Sequence, residues 1–302
     1  MSSASVPVLP DDLDNYLEAR EAETAAQYPL IPGTEKRIRW QVPGERTAFA
    51  VVYLHGFSAT RQEIAPTTEL VADALGANLF ETRLTGHGRA TGVMLEMRAE
   101  DWLADAAEAL AIGSRIGERT ILIGTSTGAT LVLTMADHPL MRDVEAIVLI
   151  SPNFGPEDPA AQWLTRPGGP LLAHLMLGDT RTWEPRNDQQ ARYWSTSYPT
   201  QAIVEAMRLV DLAHSRLPQQ LEQSLLALVS PNDGVVSPRL MREALAEISA
   251  PRKELLEFDE VGDQKNHVLA GDILSPDNTA AAVTAIVDFV RNGSASNSKD
   301  TQ

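Results

Sequence analysis

The chain has 302 residues, a formal net charge of −16 and no cysteine. Such an acidic surface repels phosphate backbones, which argues against nucleic-acid binding, and the lack of cysteine excludes a disulfide framework and a thiolate metal site. The first residues show no secretory signal pattern, and no apolar stretch reaches the length of a membrane span. We therefore expect a cytoplasmic protein without integral membrane association. Its hydrophobic content of 43% allows one large α/β domain or two smaller ones.

Strand-like apolar segments alternate with helical patterns along most of the chain. Strands are predicted at 37–42, 48–54, 78–82, 120–124, 146–151, 225–230 and 254–258. Helices are predicted at 62–75, 99–116, 127–137, 238–248 and 276–290. Near-continuous apolar strands are typical of burial on both faces, so the pattern predicts a doubly wound α/β fold with a mostly parallel sheet.

One long segment interrupts this alternation. Residues 153–217 separate two predicted strands and are too many for a simple connection. They include Trp163, Trp183 and Trp194. We interpret the segment as an inserted helical cap whose tryptophans line an apolar substrate pocket. The alternative is that these side chains only attach the cap to the core.

The remaining boundaries follow from the same patterns. Residues 1–28 are predicted to be an N-terminal extension that contains an amphipathic helix at 11–28. The core is predicted at 29–152 and 218–291. The polar residues 292–302 are predicted to be a disordered tail.

The sequence Gly124-Thr125-Ser126-Thr127-Gly128 follows an apolar strand and precedes a helical pattern. This Gly-x-Ser-x-Gly arrangement is typical of a nucleophile elbow, in which a tight strand-to-helix turn holds the serine hydroxyl out of the secondary structure. A Cβ at either glycine would crowd the bend. The alternative is a glycine-rich turn without chemistry, because three fixed positions in five also occur by chance.

A nucleophilic serine needs a histidine as base and an acid that orients the histidine. In the chain order serine, acid, histidine, the late His267 is the favoured base. The favoured acid is Asp233, because it follows a predicted strand and so lies at the carboxyl edge of the sheet, where α/β sites form. An ordinary Asn-Asp-Gly turn is the structural alternative for Asp233. The weaker candidates are His55, His87, His138, His174 and His214 as base, and Asp211, Asp259 and Glu260 as acid.

Acyl transfer also requires hydrogen-bond donors for the oxyanion. The backbone N–H of Thr127, directly after the serine, is one expected donor. The N–H of Phe57, in the loop after the second predicted strand, is the other. Neighbouring Gly56 lets this loop approach the substrate closely. We expect His55 and His87 to brace the loops rather than to react.

Five motifs occur together in the order found in α/β-hydrolases. They are Leu54-His55-Gly56-Phe57, Arg83-Leu84-Thr85-Gly86-His87-Gly88, the serine pentapeptide, Pro231-Asn232-Asp233-Gly234-Val235-Val236 and Asn266-His267-Val268. From about residue 40 to 290 the chain resembles the branch of bacterial carboxylesterases and monoacylglycerol lipases. The resemblance implies an α/β-hydrolase fold with an inserted cap, Ser126 as nucleophile, Asp233 and His267 as its partners, and the Phe57 and Thr127 amides as oxyanion donors. Two features depart from the family's usual sequences and concern substrate preference, namely the threonines beside Ser126 and the loop before His267.

These observations predict a serine carboxylesterase that hydrolyses small to medium acyl esters through an acyl-enzyme on Ser126. We expect no metal and no organic cofactor, a small-molecule ester as partner, and a monomer or homodimer. Hydrolysis of thioesters, amides or carbon–carbon bonds by the same triad is an alternative, because the fold and the triad do not determine the scissile bond. A non-catalytic binding module of the same fold is a second alternative, which the ordered serine, acid and histidine disfavour.

Overall fold

The computed structural model describes residues 4–90, 94, 97–158 and 178–297, with side chains described as far as residue 293. Its strands are β1 (Arg37–Arg39), β2 (Thr47–Leu54), β3 (Asn78–Glu81), β4 (Gly117–Thr125), β5 (Val144–Ile150), β6 (Thr180–Thr182), β7 (Ser197–Pro199), β8 (Ser224–Val229) and β9 (Lys253–Glu257). The main sheet has seven strands in the order β1-β3-β2-β4-β5-β8-β9. β1 is antiparallel to β3, and the other neighbouring pairs are parallel. The mostly parallel sheet predicted from the apolar strands is confirmed.

The helices of the described ranges are α1 (Leu13–Gln27), α2 (Thr67–Leu75), α3 (Ala99–Ile116), α4 (Thr127–Thr134), α5 (Asp188–Tyr193), α6 (Thr200–Ser215), α7 (Pro238–Glu247) and α8 (Pro276–Asn297). One hydrophobic cluster joins α3, α4 and α7 to one face of the sheet. A second cluster joins α2 and α8 to the other face. None of the helices in these ranges is long and apolar enough to cross a membrane.

Alternate residues of the central strands face opposite sides of the sheet. In β2, Ala50 and Val52 belong to the first hydrophobic cluster, whereas Val51 and Tyr53 belong to the second. All four residues are fully buried. Because both faces of the strand are covered, its sequence is an apolar run rather than an alternation of polar and apolar residues.

Two helices differ from their predicted bounds by five residues or more. The predicted helix at 62–75 is a short 3-10 helix at Arg61–Glu63 followed by α2, which begins after Pro66. Proline lacks the N–H that a helix interior requires, so the regular helix begins only beyond it. At the other end of the chain, α8 runs through Asn297, past residue 292 where a disordered tail is predicted to begin. A helix that is already formed extends at little cost, because each further residue adds a hydrogen bond.

The N-terminal helix α1 packs on the core. Leu13 and Leu17 are buried in the first hydrophobic cluster. Glu21 accepts two hydrogen bonds from the Arg83 guanidinium, at 2.8 and 2.9 Å, and both side chains are buried. Paired charges of this kind tolerate burial because each satisfies the other. Helix α1 therefore contacts the loop after β3, to which Arg83 belongs.

The segment between β5 and β8 leaves the main sheet. Within it, β6 and β7 form an antiparallel hairpin with α5 between them, and α6 follows β7. The N–H of Ser195 donates to the carbonyl oxygen of Ser58 at 2.7 Å, so this segment contacts the loop after β2. Residues 159–177, which include Trp163 and His174, lie outside the described residues.

Candidate active site

Ser126 occupies the turn between β4 and α4. Its backbone angles, φ 51° and ψ −114°, are ones that residues other than glycine rarely adopt. The turn is closely packed, because a Cβ at Gly128 would lie 2.0 Å from the Leu54 carbonyl oxygen. A Cβ at Gly124 would lie 2.7 Å from the backbone of Gly128. The N–H of Ser126 donates to the Ile150 carbonyl at 2.8 Å, which attaches the turn to β5. This geometry is that of a tight, strained strand-to-helix turn that holds Ser126 between β4 and α4.

His267 and Asp233 lie together, on loops that follow β9 and β8. Nδ1 of His267 is 2.8 Å from Oδ2 of Asp233, and both side chains are buried. The other oxygen of Asp233, Oδ1, accepts the N–H groups of Val235 and Val236 at 2.8 and 3.0 Å. The backbone thus orients the carboxylate toward His267. With Nδ1–H donated to Asp233, Nε2 of His267 is left as the ring's acceptor.

The surroundings of His267 favour its protonated form. Burial by itself opposes protonation, but the Asp233 carboxylate, its hydrogen bond and the nearby carboxylates of Glu63 and Asp263 outweigh burial and raise the pKa of His267. Fixed carboxylates of this kind stabilise the imidazolium relative to the neutral ring.

Asp263 holds the loop that carries His267. Its Oδ2 accepts the N–H groups of His267 and Val268 at 3.0 and 3.1 Å, and its Oδ1 accepts that of Lys265 at 3.2 Å. The guanidinium of Arg186, in the segment between β6 and α5, donates to the same Oδ1. One buried carboxylate therefore connects the inserted segment to the loop of His267.

The amides of the loop after β2 differ in whether they find an acceptor among the described residues. The N–H of Gly56 donates to Glu63 Oε2 at 2.8 Å, and that of Ser58 donates to Nε2 of His87 at 3.1 Å. Between them, the N–H of Phe57 has no acceptor among the described residues, and the same holds for Thr127 at the start of α4. Both residues line the cavity that Ser126 lines.

Two buried histidines brace these loops in their neutral form. Nε2 of His55 accepts the N–H of Leu84 at 3.0 Å, and Nε2 of His87 accepts the N–H of Ser58. A ring nitrogen that accepts a hydrogen bond carries no proton. Burial lowers the pKa of His87 to about 4 and that of His55 well below its usual value. These contacts agree with the bracing role predicted for both residues.

Glu63 also lines the cavity, although no sequence motif marks it. The residue is only 2% exposed, and burial raises the pKa of its carboxyl group. Oη of Tyr53 lies 3.0 Å from Oε2 of Glu63 and 3.1 Å from Oγ1 of Thr125. A single phenol proton serves one of these contacts, so Tyr53 donates to the carboxyl group and accepts from the threonine hydroxyl.

A cavity of about 680 Å³ lies over the serine turn. Ser126, His267, Phe57 and Thr127 line its floor, and Asp233 lies behind His267 without lining the cavity. Of the tryptophans predicted to face substrate, Trp183 and Trp194 line this cavity, whereas Trp163 lies outside the described residues. Tyr198 from β7 completes the aromatic wall, with its ring 5.0 Å from that of Phe57 in an edge-to-face contact.

Two of the competing histidines, His138 and His214, and the competing acids are placed elsewhere. Nε2 of His138 contacts the Ala4 carbonyl at 3.0 Å, and that of His214 contacts the Phe154 carbonyl at 2.8 Å. The lining of the cavity, as far as the described residues show it, contains none of Asp211, Asp259 and Glu260. Within the same ranges, no group of three or more histidine, aspartate or glutamate side chains is arranged to hold a metal ion.

Comparisons with known proteins agree with this fold. The sequence profile of the alpha/beta hydrolase family matches residues 51–282. A thermostable monoacylglycerol lipase of Bacillus sp. (strain H-257) is 27% identical over 230 residues, which cover 76% of this chain and 86% of that protein.

Solved structures show the same fold at lower sequence identity. One reported among two metagenome-derived lipolytic enzymes, LipS and LipT, superposes with a TM-score of 0.65 at 19% identity, over 87% of this chain and 99% of that one. The monoacylglycerol lipase of Paleococcus ferrophilus superposes with a TM-score of 0.60 at 17% identity, over 84% and 98% of the two chains. The family match spans well over half of the sequence, and the strand order, the serine turn and the order of the motifs agree with it. The chain belongs to the alpha/beta hydrolase family.

Proposed function

We propose that this protein is a serine hydrolase of carboxylic esters, with Ser126 as nucleophile, His267 as base and Asp233 as the acid that orients it. The observation that carries the proposal is the convergence of three elements on one cavity. They are a serine on a strained turn, a histidine whose Nδ1 contacts a buried carboxylate at 2.8 Å, and two amides that lack acceptors among the described residues. The lipolytic relatives support an ester as the scissile group.

In the proposed reaction, Oγ of Ser126 attacks the ester carbonyl while Nε2 of His267 takes its proton. The imidazolium then gives this proton to the departing alkoxide, which leaves an acyl group on Ser126. Water, deprotonated by the same nitrogen, attacks the acyl-enzyme. The imidazolium then returns this proton to Oγ of Ser126 as the carboxylic acid is released. Asp233 keeps the Nδ1–H tautomer in place and stabilises the imidazolium in both steps.

The negative charge of the tetrahedral intermediate requires donors that already point at it. We assign this task to the N–H groups of Phe57 and Thr127. The amide of Thr127 adds the partial positive charge at the N-terminus of α4. Because neighbouring amides of the loop are already bonded to Glu63 and His87, the loop need not reorganise when the charge develops.

We assign residues 153–217 as a cap and the cavity beneath it as the acyl-binding site. A volume of about 680 Å³ falls in the range of sites that enclose small organic ligands. Trp183, Trp194 and Tyr198 supply an apolar surface for an acyl chain. Small to medium acyl esters fit this space, and monoacylglycerols are the first natural substrates to test, since two of the relatives are monoacylglycerol lipases.

The test combines a fluorophosphonate probe with a series of p-nitrophenyl esters of increasing chain length. The wild-type protein should be labelled on one serine and should hydrolyse esters. Ser126→Ala should lose the label and lower kcat by a factor on the order of 10⁶. Labelling or turnover that survives Ser126→Ala would exclude Ser126 as the nucleophile. A wild-type protein that is neither labelled nor active would instead favour a non-catalytic binding module.

Matched thioesters and anilides of the same acyl groups address the scissile bond. An ester hydrolase should turn over the ester much faster than the anilide, because the anilide needs protonation of a poorer leaving group. A preference for the thioester or the anilide would transfer the assignment to a thioesterase or an amidase that uses the same three residues.

A further inference from the structure

We propose that Glu63 is a positioning residue of this hydrolase, whose carboxylate fixes the oxyanion loop to the serine turn and places its charge in the cavity that His267 lines. The inference deepens the proposed function and rests on it. Glu63 belongs to no motif of the serine hydrolase pattern in this sequence, and its position follows only from the fold.

The first argument concerns the oxyanion loop. Among the described residues, both hydrogen bonds of the Glu63 side chain end on Oε2, which accepts the N–H of Gly56 at 2.8 Å. The peptide group that follows carries the N–H of Phe57, the proposed oxyanion donor. A Cβ on Gly56 would lie 2.7 Å from Oε1 of Glu63, so the carboxyl group packs directly against this part of the backbone. Moving or removing it changes the direction of the Phe57 amide.

The second argument concerns the serine turn. Through the phenol of Tyr53, the carboxyl group of Glu63 is connected to Oγ1 of Thr125, the residue directly before Ser126. All of these groups are buried. A single buried side chain thereby sets the distance between the oxyanion loop and the nucleophile, and an error of about 1 Å in such a distance costs roughly 10²-fold in rate.

The third argument is electrostatic. The carboxylates of Asp233, Asp263 and Glu63 all favour the protonated form of His267. Asp233 contacts the ring, and Glu63 and Asp263 line the same cavity as His267. Asp233 orients the ring, and Asp263 is occupied by backbone N–H groups and by Arg186. Glu63 adds charge without orienting the ring. The cationic groups that line the same cavity are Arg181, Arg186 and Lys265.

The experiment compares Glu63→Gln with Glu63→Ala. The glutamine keeps an oxygen that can accept the N–H of Gly56 but carries no charge, whereas the alanine removes both functions. The readout is the second-order rate constant of fluorophosphonate labelling of Ser126 across pH, which needs no knowledge of the natural substrate. Glu108→Gln is the matched control, since Glu108 is a buried carboxylate that pairs with Lys36 and does not line the cavity.

Two results are expected together. Because a nearby negative charge raises the pKa of His267, Glu63→Gln should move the acid limb of the labelling profile to lower pH by roughly 0.5–1 unit. At the plateau, Glu63→Gln should be roughly 10-fold slower than wild type, and Glu63→Ala slower again by a similar factor. Glu108→Gln should leave the limb where it is in the wild type. A purely structural residue would lower the plateau without moving the limb.

The contrary outcomes separate the two proposals. If wild-type labelling is normal and Ser126→Ala abolishes it, but Glu63→Gln leaves the limb unmoved, this inference fails and the proposed function stands. If the plateau labelling rate of Glu63→Ala equals that of the wild type, the inference likewise fails and the proposed function stands. If wild-type Ser126 is not labelled at all, both fail. Should Glu63→Gln not fold, Glu63→Asp retracts the charge by one methylene and should lower the plateau and move the limb in the same direction by less. If the pH profile of labelling in Glu63→Asp equals that of the wild type, the inference is overturned.

Discussion

Gly128→Ala is the sharpest test of the serine turn, because the structure specifies how far the backbone has to move. A Cβ at this position would lie 2.0 Å from the Leu54 carbonyl oxygen and 2.8 Å from that of His55. Both obstacles are backbone atoms of β2 and the loop after it, so no side-chain rotation relieves the clash. Helix α4 would have to withdraw from β2 by about 1 Å to reach the closest tolerated contact.

The same displacement separates the two proposed oxyanion donors, since Thr127 moves with α4 while Phe57 stays with the loop after β2. A misplacement of about 1 Å is expected to slow fluorophosphonate labelling and ester turnover roughly 10²-fold. Overpacking at a buried site costs about 1–3 kcal/mol of unfolding free energy, which corresponds to a decrease in Tm of several degrees. Labelling kinetics and calorimetry on the same preparation measure both quantities.

Gly293→Ala is the matched control. Its Cβ would lie 3.4 Å from the Arg252 guanidinium, which is an ordinary contact, and alanine favours helix α8 over glycine. This variant should label at the wild-type rate and melt at the same or a slightly higher temperature. Wild-type labelling and an unchanged Tm in Gly128→Ala would refute the packing of α4 against β2 on which the serine turn depends.

Two further predictions concern proton-binding groups. Asp233→Asn should lower kcat by a factor on the order of 10⁴ with little change in KM, because the tautomer of His267 is no longer held. Steady-state kinetics measure this effect. A loss of kcat smaller than 10-fold would mean that another acid orients His267. For His87, the folded-state pKa of about 4 lies below the unfolded value, so its contribution to stability is complete above about pH 6.5 and is lost as pH falls to about 4. This loss amounts to about 3 kcal/mol of unfolding free energy. Urea titrations at several pH values should show a smaller loss in His87→Gln than in the wild type. If the unfolding free energies of the two proteins fall in parallel across this range, another group causes the acid sensitivity.

The parallel sheet and the placement of the proposed triad were predictable because their signals are local. Buried parallel strands such as β5 and β8 are short apolar runs, and Asp233 and His267 each lie in the loop that follows a strand. Carboxyl ends of parallel strands share one edge of the sheet, so residues far apart in sequence meet there. Chain order and strand position were therefore sufficient to predict that Asp233 and His267 lie together.

Other parts of the site carry no local signal. Glu63 stands in a short 3-10 helix with a polar sequence, and only tertiary packing places its carboxyl group against Gly56 and Tyr53. Asp263 belongs to the loop before His267, which differs from the family's usual sequences without indicating a role for any residue in it. It nevertheless accepts three backbone N–H groups around His267. Side chains that act by accepting backbone N–H groups of irregular loops leave no periodicity or spacing to detect.

The contact of Arg186 with Asp263 has a consequence for protein engineering. Residues of the inserted segment are the natural targets for changing which acyl groups are accepted, because they form the wall of the cavity. Arg186 is one of them, but its partner Asp263 also holds the backbone beside His267. A library that randomises the inserted segment while retaining Arg186 should therefore yield more active variants than one that randomises Arg186 as well.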